Sequence, residues 1–121
     1  MPFPVEIKRL YSLDLPDGSE LPEDPSDCWI RINLDIGPTG SPGADTFRFV
    51  ACTPRALQEK LAKSRFVWGP DLLIVSRFDW PQVEAVVGEL VASVAGQASD
   101  WDEFVRLFGR HASWEFEAHE G

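Results

Sequence analysis

The sequence predicts an α+β domain with a mainly antiparallel sheet of about five strands and about three helices packed on it. Residues 28–36 alternate strictly between apolar and polar side chains, which is typical of a strand with one buried face. Residues 46–52 return as a second alternating stretch after a turn rich in glycine and proline, so the two stretches predict a hairpin. Helical apolar stripes follow in the second half of the chain, and we therefore expect the element order β-β-β-α-β-α-α-β.

The first three strands come from the N-terminal half of the chain. Residues 5–13 mix apolar and charged side chains near period two and are expected to form the first strand. Residues 14–27, DLPDGSELPEDPSD, are rich in proline, glycine, serine and acids and predict a long exposed acidic loop, of a kind that is often functional or mobile. The strand over residues 28–36 places its apolar side chains on one face: Cys28, Ile30, Ile32, Leu34 and Ile36. In the strand over residues 46–52 either face could be apolar, because phenylalanine and alanine alternate with arginine, valine and cysteine.

A first helix is predicted directly after the third strand. Thr53 is a good N-cap residue, and Pro54 is a good first helical residue because the N–H that it lacks would have no partner there. We expect the helix to run to about Lys63, with Leu57 and Leu61 facing the core.

A short buried strand and a second helix follow. Residues 72–75, LLIV, form an apolar run after a Gly-Pro turn. Asp79 and Pro81 are expected to open the second helix, and Gly96 to end it. The apolar side chains of this helix fall at helical spacing and form one stripe: Val83, Val86, Val87, Leu90, Val91 and Val94.

The C-terminal part of the chain predicts a third helix and a closing strand. Ser99 or Asp100 caps the helix, which ends near Gly109. Its apolar face carries Trp101, Phe104, Val105 and Phe108. In the closing strand three apolar residues, Trp114, Phe116 and Ala118, alternate with Glu115, Glu117 and His119.

Composition and charge are those of one acidic domain over residues 1–121. The chain has 121 residues, of which 44% are hydrophobic, and this is enough for a single packed core. The formal net charge of −9 disfavours binding to nucleic acid or to an anionic membrane, and it would favour a basic protein partner, although solubility alone also explains it. Without a recognisable leader, a membrane-spanning run or a disulfide framework, we expect a cytoplasmic protein, and the sequence leaves its oligomeric state open.

Cys52 is the first candidate for chemistry, because a thiol at a helix N-terminus is favoured as a thiolate. A phosphatase-type loop would require an arginine where Gln58 stands, and Pro54 removes one of the N–H donors. A protease-type cysteine requires a histidine base, and the sequence does not place His111 or His119 beside it. We therefore favour a buried structural thiol over a nucleophile.

The two cysteines lie at the outer ends of the hairpin strands. If Ile36 pairs with Thr46, the backbones of Cys28 and Cys52 are neighbours without being directly opposed. A disulfide or a two-thiolate metal site is conceivable, but a closed zinc site needs two further ligands. We expect two reduced thiols, no metal and no cofactor.

Two other patterns imitate ligand sites. The G-x-x-G-x-x-G spacing over residues 37–43 resembles a phosphate-binding loop, but no helix follows it and prolines remove donors, so it predicts a hairpin loop. Glu115, Glu117 and His119 could form a carboxylate pair or a metal-binding face, but a solvated face opposite buried aromatic residues explains the same alternation. No catalytic residue is therefore predicted.

A partner-binding surface is the prediction that these observations favour. Trp29 lies on the polar face of its strand directly after the acidic loop, and an exposed tryptophan ringed by charge is typical of interface hot spots. The competing interpretation is that another element, such as the acidic loop, covers it. Acids concentrate in residues 14–35 and bases in residues 48–65, so one edge should be acidic and another mildly basic. The residues predicted to bind a partner are Asp14, Asp17, Glu20, Glu23, Asp24, Asp27 and Trp29.

The succession WIRINLDIGPTGSPGADTFRFVACTPRAL, then DLLIV, then WEFE, resembles the immunity protein 8 family, most specifically in its I-G-P-x-G hairpin and C-T-P helix start. The resemblance extends from the first strand to Glu117. It implies a non-catalytic protein, encoded beside a bacterial polymorphic toxin, that binds and neutralises a cognate toxin domain. It carries over no catalytic or toxin-contacting residue. The acidic total is compatible with a basic toxin whose active site the acidic loop would occlude.

Two other functions stay open on the sequence. A small cysteine- or carboxylate-dependent enzyme would require a Cys52 thiolate with a lowered pKa, or working carboxylates. An adaptor subunit that binds some other protein would lack a toxin gene beside its own.

Overall fold

The computed structural model describes residues 4–15, 21–69 and 71–114. These residues form eight elements in the predicted order, and the predicted α+β class is confirmed. The elements are β1 (Val5–Tyr11), β2 (Trp29–Pro38), β3 (Asp45–Cys52), α1 (Pro54–Lys63), β4 (Leu72–Ile74), α2 (Trp80–Gln97), α3 (Trp101–Phe108) and β5 (Ser113–Trp114). The continuation of the predicted closing strand, with Glu115, Glu117 and His119, lies outside the described residues.

The sheet is mixed, with one parallel pair among antiparallel ones. Its hydrogen-bonded order is β1-β2-β3-β4, and β2 is antiparallel to both β1 and β3. β4 runs parallel to β3 because α1 carries the chain back between them, as a parallel pair requires. β5 pairs antiparallel with β3 at Phe47 and Arg48, on the same edge as β4 and farther from the start of α1. β3 is therefore the strand on which the two halves of the chain meet.

The register of the β2–β3 hairpin differs by one residue from the pairing supposed above. Ile36 pairs with Asp45 and not with Thr46. In this register Leu34 opposes Phe47, so the apolar sets of both strands share one face. The supposed pairing would have placed an arginine opposite Leu34 on the buried face, which explains why the observed register is preferred.

Helices α2 and α3 cover the buried face of the sheet. Phe47 of β3 lies edge-on to Phe104 and Phe108 of α3, with ring centroids 6.5 and 5.0 Å away. The valines that α2 buries against the sheet are Val83, Val87, Val91 and Val94. Val86 is 37% exposed and Leu90 is half-buried, so the buried stripe is narrower than the sequence predicts.

Helix α1 lies at one end of the opposite face, which we call the outer face. Its Lys60 reaches Trp29, a β2 residue that alternates with the buried isoleucines of that strand. Ala56 is the one buried side chain among the residues of α1. The prediction that Leu57 and Leu61 face the core is wrong for Leu61, which is 44% exposed, and Leu57 is only half-buried. The three residues of the neighbouring strand β4 are too few to cover the last turns of the helix.

The helix starts use the predicted capping chemistry in two of three cases. Thr53 Oγ1 accepts a hydrogen bond from the backbone N–H of Ala56 at 3.4 Å. Asp100 caps α3 by accepting from the backbone N–H of Glu103 at 2.8 Å. Asp79 precedes α2 but makes no capping hydrogen bond with its side chain. Side-chain capping hydrogen bonds from the local sequence therefore fix where α1 and α3 begin.

Candidate functional site

The acidic loop begins with a carboxylate that is already used inside the chain. Asp14 accepts hydrogen bonds from Nη2 of Arg31 at 2.6 Å and from its Nε at 3.2 Å. It also accepts from the backbone N–H of Arg31 at 2.9 Å. The hydrogen bond from the Arg31 side chain holds the pKa of Asp14 below its ordinary range. The Arg31 side chain is 72% exposed and that of Asp14 is 25% exposed, so the guanidinium is the half of this pair that faces solvent.

Neighbouring residues fix the start of this loop against β2. The Ser12 hydroxyl donates to the carbonyl oxygen of Arg31 at 2.6 Å and accepts from the backbone N–H of Asp14 at 3.0 Å. Leu15 is buried in the core at 5% exposure. The chain is thus held on both sides of Asp14, while the predicted site residues Asp17 and Glu20 lie outside the described residues.

The end of the loop forms a turn that presents three further predicted acids. We call residues 23–27 the acidic turn. The backbone N–H of Asp27 donates to the carbonyl oxygen of Asp24 at 3.0 Å, and that of Ser26 donates to Oδ1 of Asp24, also at 3.0 Å. Glu23 and Asp24 are exposed and Asp27 is half-buried. These carboxylates therefore stand on a hydrogen-bonded backbone.

The acidic turn is also joined to the core. The carbonyl oxygen of Pro25 accepts from the backbone N–H of Phe78 at 2.8 Å and lies 3.6 Å from the Sγ of Cys28. Phe78 is buried at 1% exposure and packs edge-on against Trp80 with ring centroids 5.2 Å apart. The acidic turn is therefore held by two buried residues, Cys28 next to it in the chain and Phe78 from a distant part. This suits a binding surface that must keep its shape.

Trp29 lies between the acidic turn and α1. Its ring is half-buried, and the ammonium of Lys60 lies 4.8 Å from the ring centroid, a cation–π distance. A groove of about 270 Å³ runs here, with Asp27 on one side and Lys60 and Lys63 on the other. Within the described residues α1 is therefore the element that partly covers Trp29.

The two cysteines are close along the hairpin and both are free thiols. Cys52 pairs with Trp29 across the hairpin. Cys28 directly precedes Trp29, and its backbone is hydrogen-bonded to Thr53, the residue after Cys52. Burial raises the pKa of Cys52, whose exposure is 0%. Burial also raises the pKa of Cys28, with a smaller contribution from the nearby Asp24 carboxylate. Both environments therefore favour the protonated thiol over a nucleophilic thiolate.

Sequence reasoning missed an apolar surface beside α1. Leu61, Phe66, Trp68 and Ile74 are 44, 64, 83 and 53% exposed, and we call these four residues the apolar patch. Leu61 and Ile74 line a groove of about 370 Å³, and Val67, the residue between Phe66 and Trp68, lines it as well. A signal was present in the sequence, because residues 65–69, RFVWG, follow neither strand nor helix periodicity and so have no element to bury their aromatic rings.

Two further concave regions lie elsewhere. A shallow groove of about 370 Å³ on the outer face carries Arg31, Asn33 and Arg48. A cavity of about 150 Å³ between the sheet and helices α2 and α3 has a mainly apolar lining with His111 at its margin. Within residues 4–15, 21–69 and 71–114, no three His, Cys, Asp or Glu side chains gather as a metal site. No helix in those ranges combines the length and apolarity needed to cross a membrane.

A family model described as Immunity protein 8 matches residues 5–119, nearly the whole chain. Neither a curated protein nor a solved structure matches the chain significantly.

Proposed function

Because the chain belongs to the immunity protein 8 family, we propose that it is a non-catalytic protein that binds and neutralises a cognate toxin domain. The family match over residues 5–119 is the observation that carries this proposal. The proposed place of action is the bacterial cytoplasm, where an immunity protein of a polymorphic toxin system protects the cell that makes the toxin. Such a protein requires a binding surface and no catalytic centre.

The proposed mechanism is occlusion of the toxin's active site by an acidic surface. Glu23, Asp24 and Asp27 stand on the hydrogen-bonded acidic turn and would pair with cations of a basic toxin site. Trp29 beside them would supply apolar contact area that becomes fully buried in the complex. The net charge of −9 would speed the encounter with a basic partner.

The surroundings of Cys52 support a non-catalytic function over a cysteine-dependent enzyme. A nucleophilic thiol needs access to its substrate and a lowered pKa, whereas Cys52 is fully buried and burial raises its pKa. We expect iodoacetamide to react slowly with Cys52 in the folded protein at neutral pH and rapidly after unfolding. Rapid alkylation of the folded chain would favour the enzyme.

The proposal is tested with the toxin domain encoded beside the gene. Co-expression of this chain should restore growth to cells that produce the toxin, and the purified proteins should form a stable complex in isothermal titration calorimetry. A chain that neither protects cells nor binds the toxin domain would overturn the proposal.

The acidic surface is tested separately by charge reversal. Changing Asp17, Glu20, Glu23 and Asp24 together to lysine should slow association with the toxin and abolish protection. A smaller variant, Glu23→Lys with Asp24→Lys, has a matched control in Glu84→Lys with Glu89→Lys, two exposed acids on α2. Equal toxin binding by the acidic-turn variant and its control would remove the acidic turn from the mechanism and leave the immunity function standing.

A further inference from the structure

Helix α1 and the residues just after it are basic in an acidic protein. Residues 54–65 contain four bases and one acid, in a chain of net charge −9. All four bases are exposed: Arg55, Lys60, Lys63 and Arg65. Within the described part of the chain none of them forms an ion pair. A uniformly basic partner would be repelled by this helix, although the acidic turn would attract it.

The apolar patch adjoins this basic helix. Leu61 belongs to α1, Phe66 and Trp68 follow it, and Ile74 lies on the edge strand β4. Soluble proteins seldom leave neighbouring large apolar side chains this exposed unless they bind something. Tryptophan is also among the residues that contribute most to protein–protein binding.

The basic helix and the acidic turn border one groove. Asp27 of the acidic turn and Lys60 and Lys63 of α1 line the groove that contains Trp29. The centroid of the Trp29 ring lies 4.8 Å from the Lys60 ammonium, and Trp29 follows the acidic turn closely in the chain. Trp29 therefore lies between the acidic turn and α1. The acidic turn, the groove and α1 therefore form one surface, which continues through Leu61 of α1 to the second groove, where Ile74 and Val67 lie.

We infer that the toxin domain binds across this whole surface and faces α1 with an apolar patch rimmed by carboxylates. The inference rests on the proposed function and adds to it the chemistry of a second part of the toxin's contact face. Cations of the toxin would face the acidic turn, and its apolar patch and carboxylates would face Trp68, Phe66 and the bases of α1.

The charges of α1 favour the toxin over two other occupants. In a two-fold dimer whose axis passes through α1, the bases of α1 would face the same bases of the second copy. An anionic membrane would attract α1 but would be repelled by the chain's total charge of −9. A protein face with its own carboxylates meets neither objection.

The first arm of the test removes the apolar contact. Trp68→Ser combined with Phe66→Ser should raise the Kd for a catalytically inactive toxin domain by about tenfold or more, measured by surface plasmon resonance. Val86→Ser is the control, because Val86 is 37% exposed and lies on α2, which covers the opposite face of the sheet. The control should bind the toxin domain as the unchanged chain does.

The second arm uses the sign of a charge change. Lys60→Glu with Lys63→Glu makes the chain more acidic, so a toxin that recognised only negative charge would bind it faster and more tightly. If carboxylates of the toxin face α1, the same variant binds more weakly. Arg106→Glu with Arg110→Glu changes the total charge equally at two exposed positions on and just after α3, which covers the opposite face of the sheet, and serves as the control.

The outcomes separate the inference from the proposed function. No binding of the toxin domain by the unchanged chain would overturn the proposed function itself. Normal binding by the serine variant, or tighter binding by the α1 charge reversal, would overturn only the inference. The serine variant could instead keep toxin binding and lose a dimer seen in sedimentation velocity, which would assign the patch to a second copy of the chain. If it kept toxin binding and lost binding to phosphatidylglycerol vesicles, the patch would be assigned to a membrane.

Discussion

The buried hydroxyl of Thr53 joins the start of α1 to the start of β2. Its Oγ1 accepts from the backbone N–H groups of Ala56 at 3.4 Å and of Cys28 at 3.1 Å, and the residue has 0% exposure. Removing the hydroxyl would leave a buried N–H without a partner and would also remove a helix cap.

We therefore expect Thr53→Ala to lower the free energy of unfolding by about 1–3 kcal/mol. Thr53→Ser keeps the oxygen and should lose much less. Urea unfolding followed by circular dichroism measures both variants. If alanine and serine variants were equally stable, the hydroxyl would have no such role.

A second residue-scale prediction concerns pH and the Asp14–Arg31 pair. Because the Arg31 side chain lowers the pKa of Asp14 in the folded chain, the ionised carboxylate stabilises the fold at neutral pH. That contribution is lost as the pH falls through the lowered pKa. Asp14→Asn should therefore be modestly less stable than the unchanged chain at pH 7, since exposed ion pairs contribute little. The difference should shrink as the pH falls below about 4. Thermal unfolding at several pH values measures it, and a difference independent of pH would contradict the assignment.

At the scale of elements, the β2–β3 hairpin depends on one close backbone approach. A Cβ placed on Gly37 would lie 2.0 Å from the carbonyl oxygen of Gly43, whereas a Cβ on Gly43 would come no nearer than 3.6 Å, to Oγ of Ser41. Gly40 has φ +82°, the left-handed region that glycine adopts readily. The glycines that imitate a phosphate loop are therefore used by the hairpin turn.

Gly37→Ala should accordingly destabilise the protein by about 1–3 kcal/mol, because the new methyl group forces the two loop ends apart. Gly43→Ala is the matched control and should change stability by about 0.5 kcal/mol or less. Guanidinium unfolding compares the two. Equal effects would mean that the loop adjusts freely and that the close approach is not required.

The order of the elements could be predicted because its signals are local. The Thr-Pro pair that starts α1 and the alternation in β2 depend on neighbouring residues alone, and the boundaries of α1 agree with the prediction. What a face packs against depends on distant parts of the chain. The position of Leu61 in the sequence indicates which other side chains of α1 lie on the same face of the helix. It does not indicate that β4 is too short to cover that face, and this is why Leu61 stays 44% exposed.

The candidate site could be predicted only in part, for the same reason. The acidic composition of the turn is visible in the sequence, but the pairing of Asp14 with Arg31 joins residues far apart in the chain. Likewise, Lys60 meets Trp29 because β3 brings α1 beside the start of β2. The places of Asp17 and Glu20 in the binding surface stay predictions.

For the molecule as a whole, the helices that bury most of the core are different from the helix that borders the proposed binding surface. α2 and α3 cover one face of the sheet and bury the aromatic cluster around Phe104. α1 covers only one end of the outer face and buries little more than Ala56. Substitutions in the apolar patch should therefore cost little stability, and this makes them clean probes of partner binding.

Salt dependence should separate the two parts of the proposed contact surface. Charges of the acidic turn act during the approach of the toxin, over distances comparable to the Debye length of about 10 Å at 0.1 M salt, so they govern the association rate. In the proposed complex Trp68, which is exposed in the free chain, would contact the toxin only after docking, so it should govern the dissociation rate. We expect the association rate of the unchanged chain to fall severalfold as salt rises from about 0.05 M to about 0.5 M. Glu23→Lys with Asp24→Lys should flatten that dependence, whereas Trp68→Ser should leave it intact and speed dissociation. Stopped-flow association and surface plasmon resonance measure the two rates. A serine variant that altered association alone would contradict this division of roles.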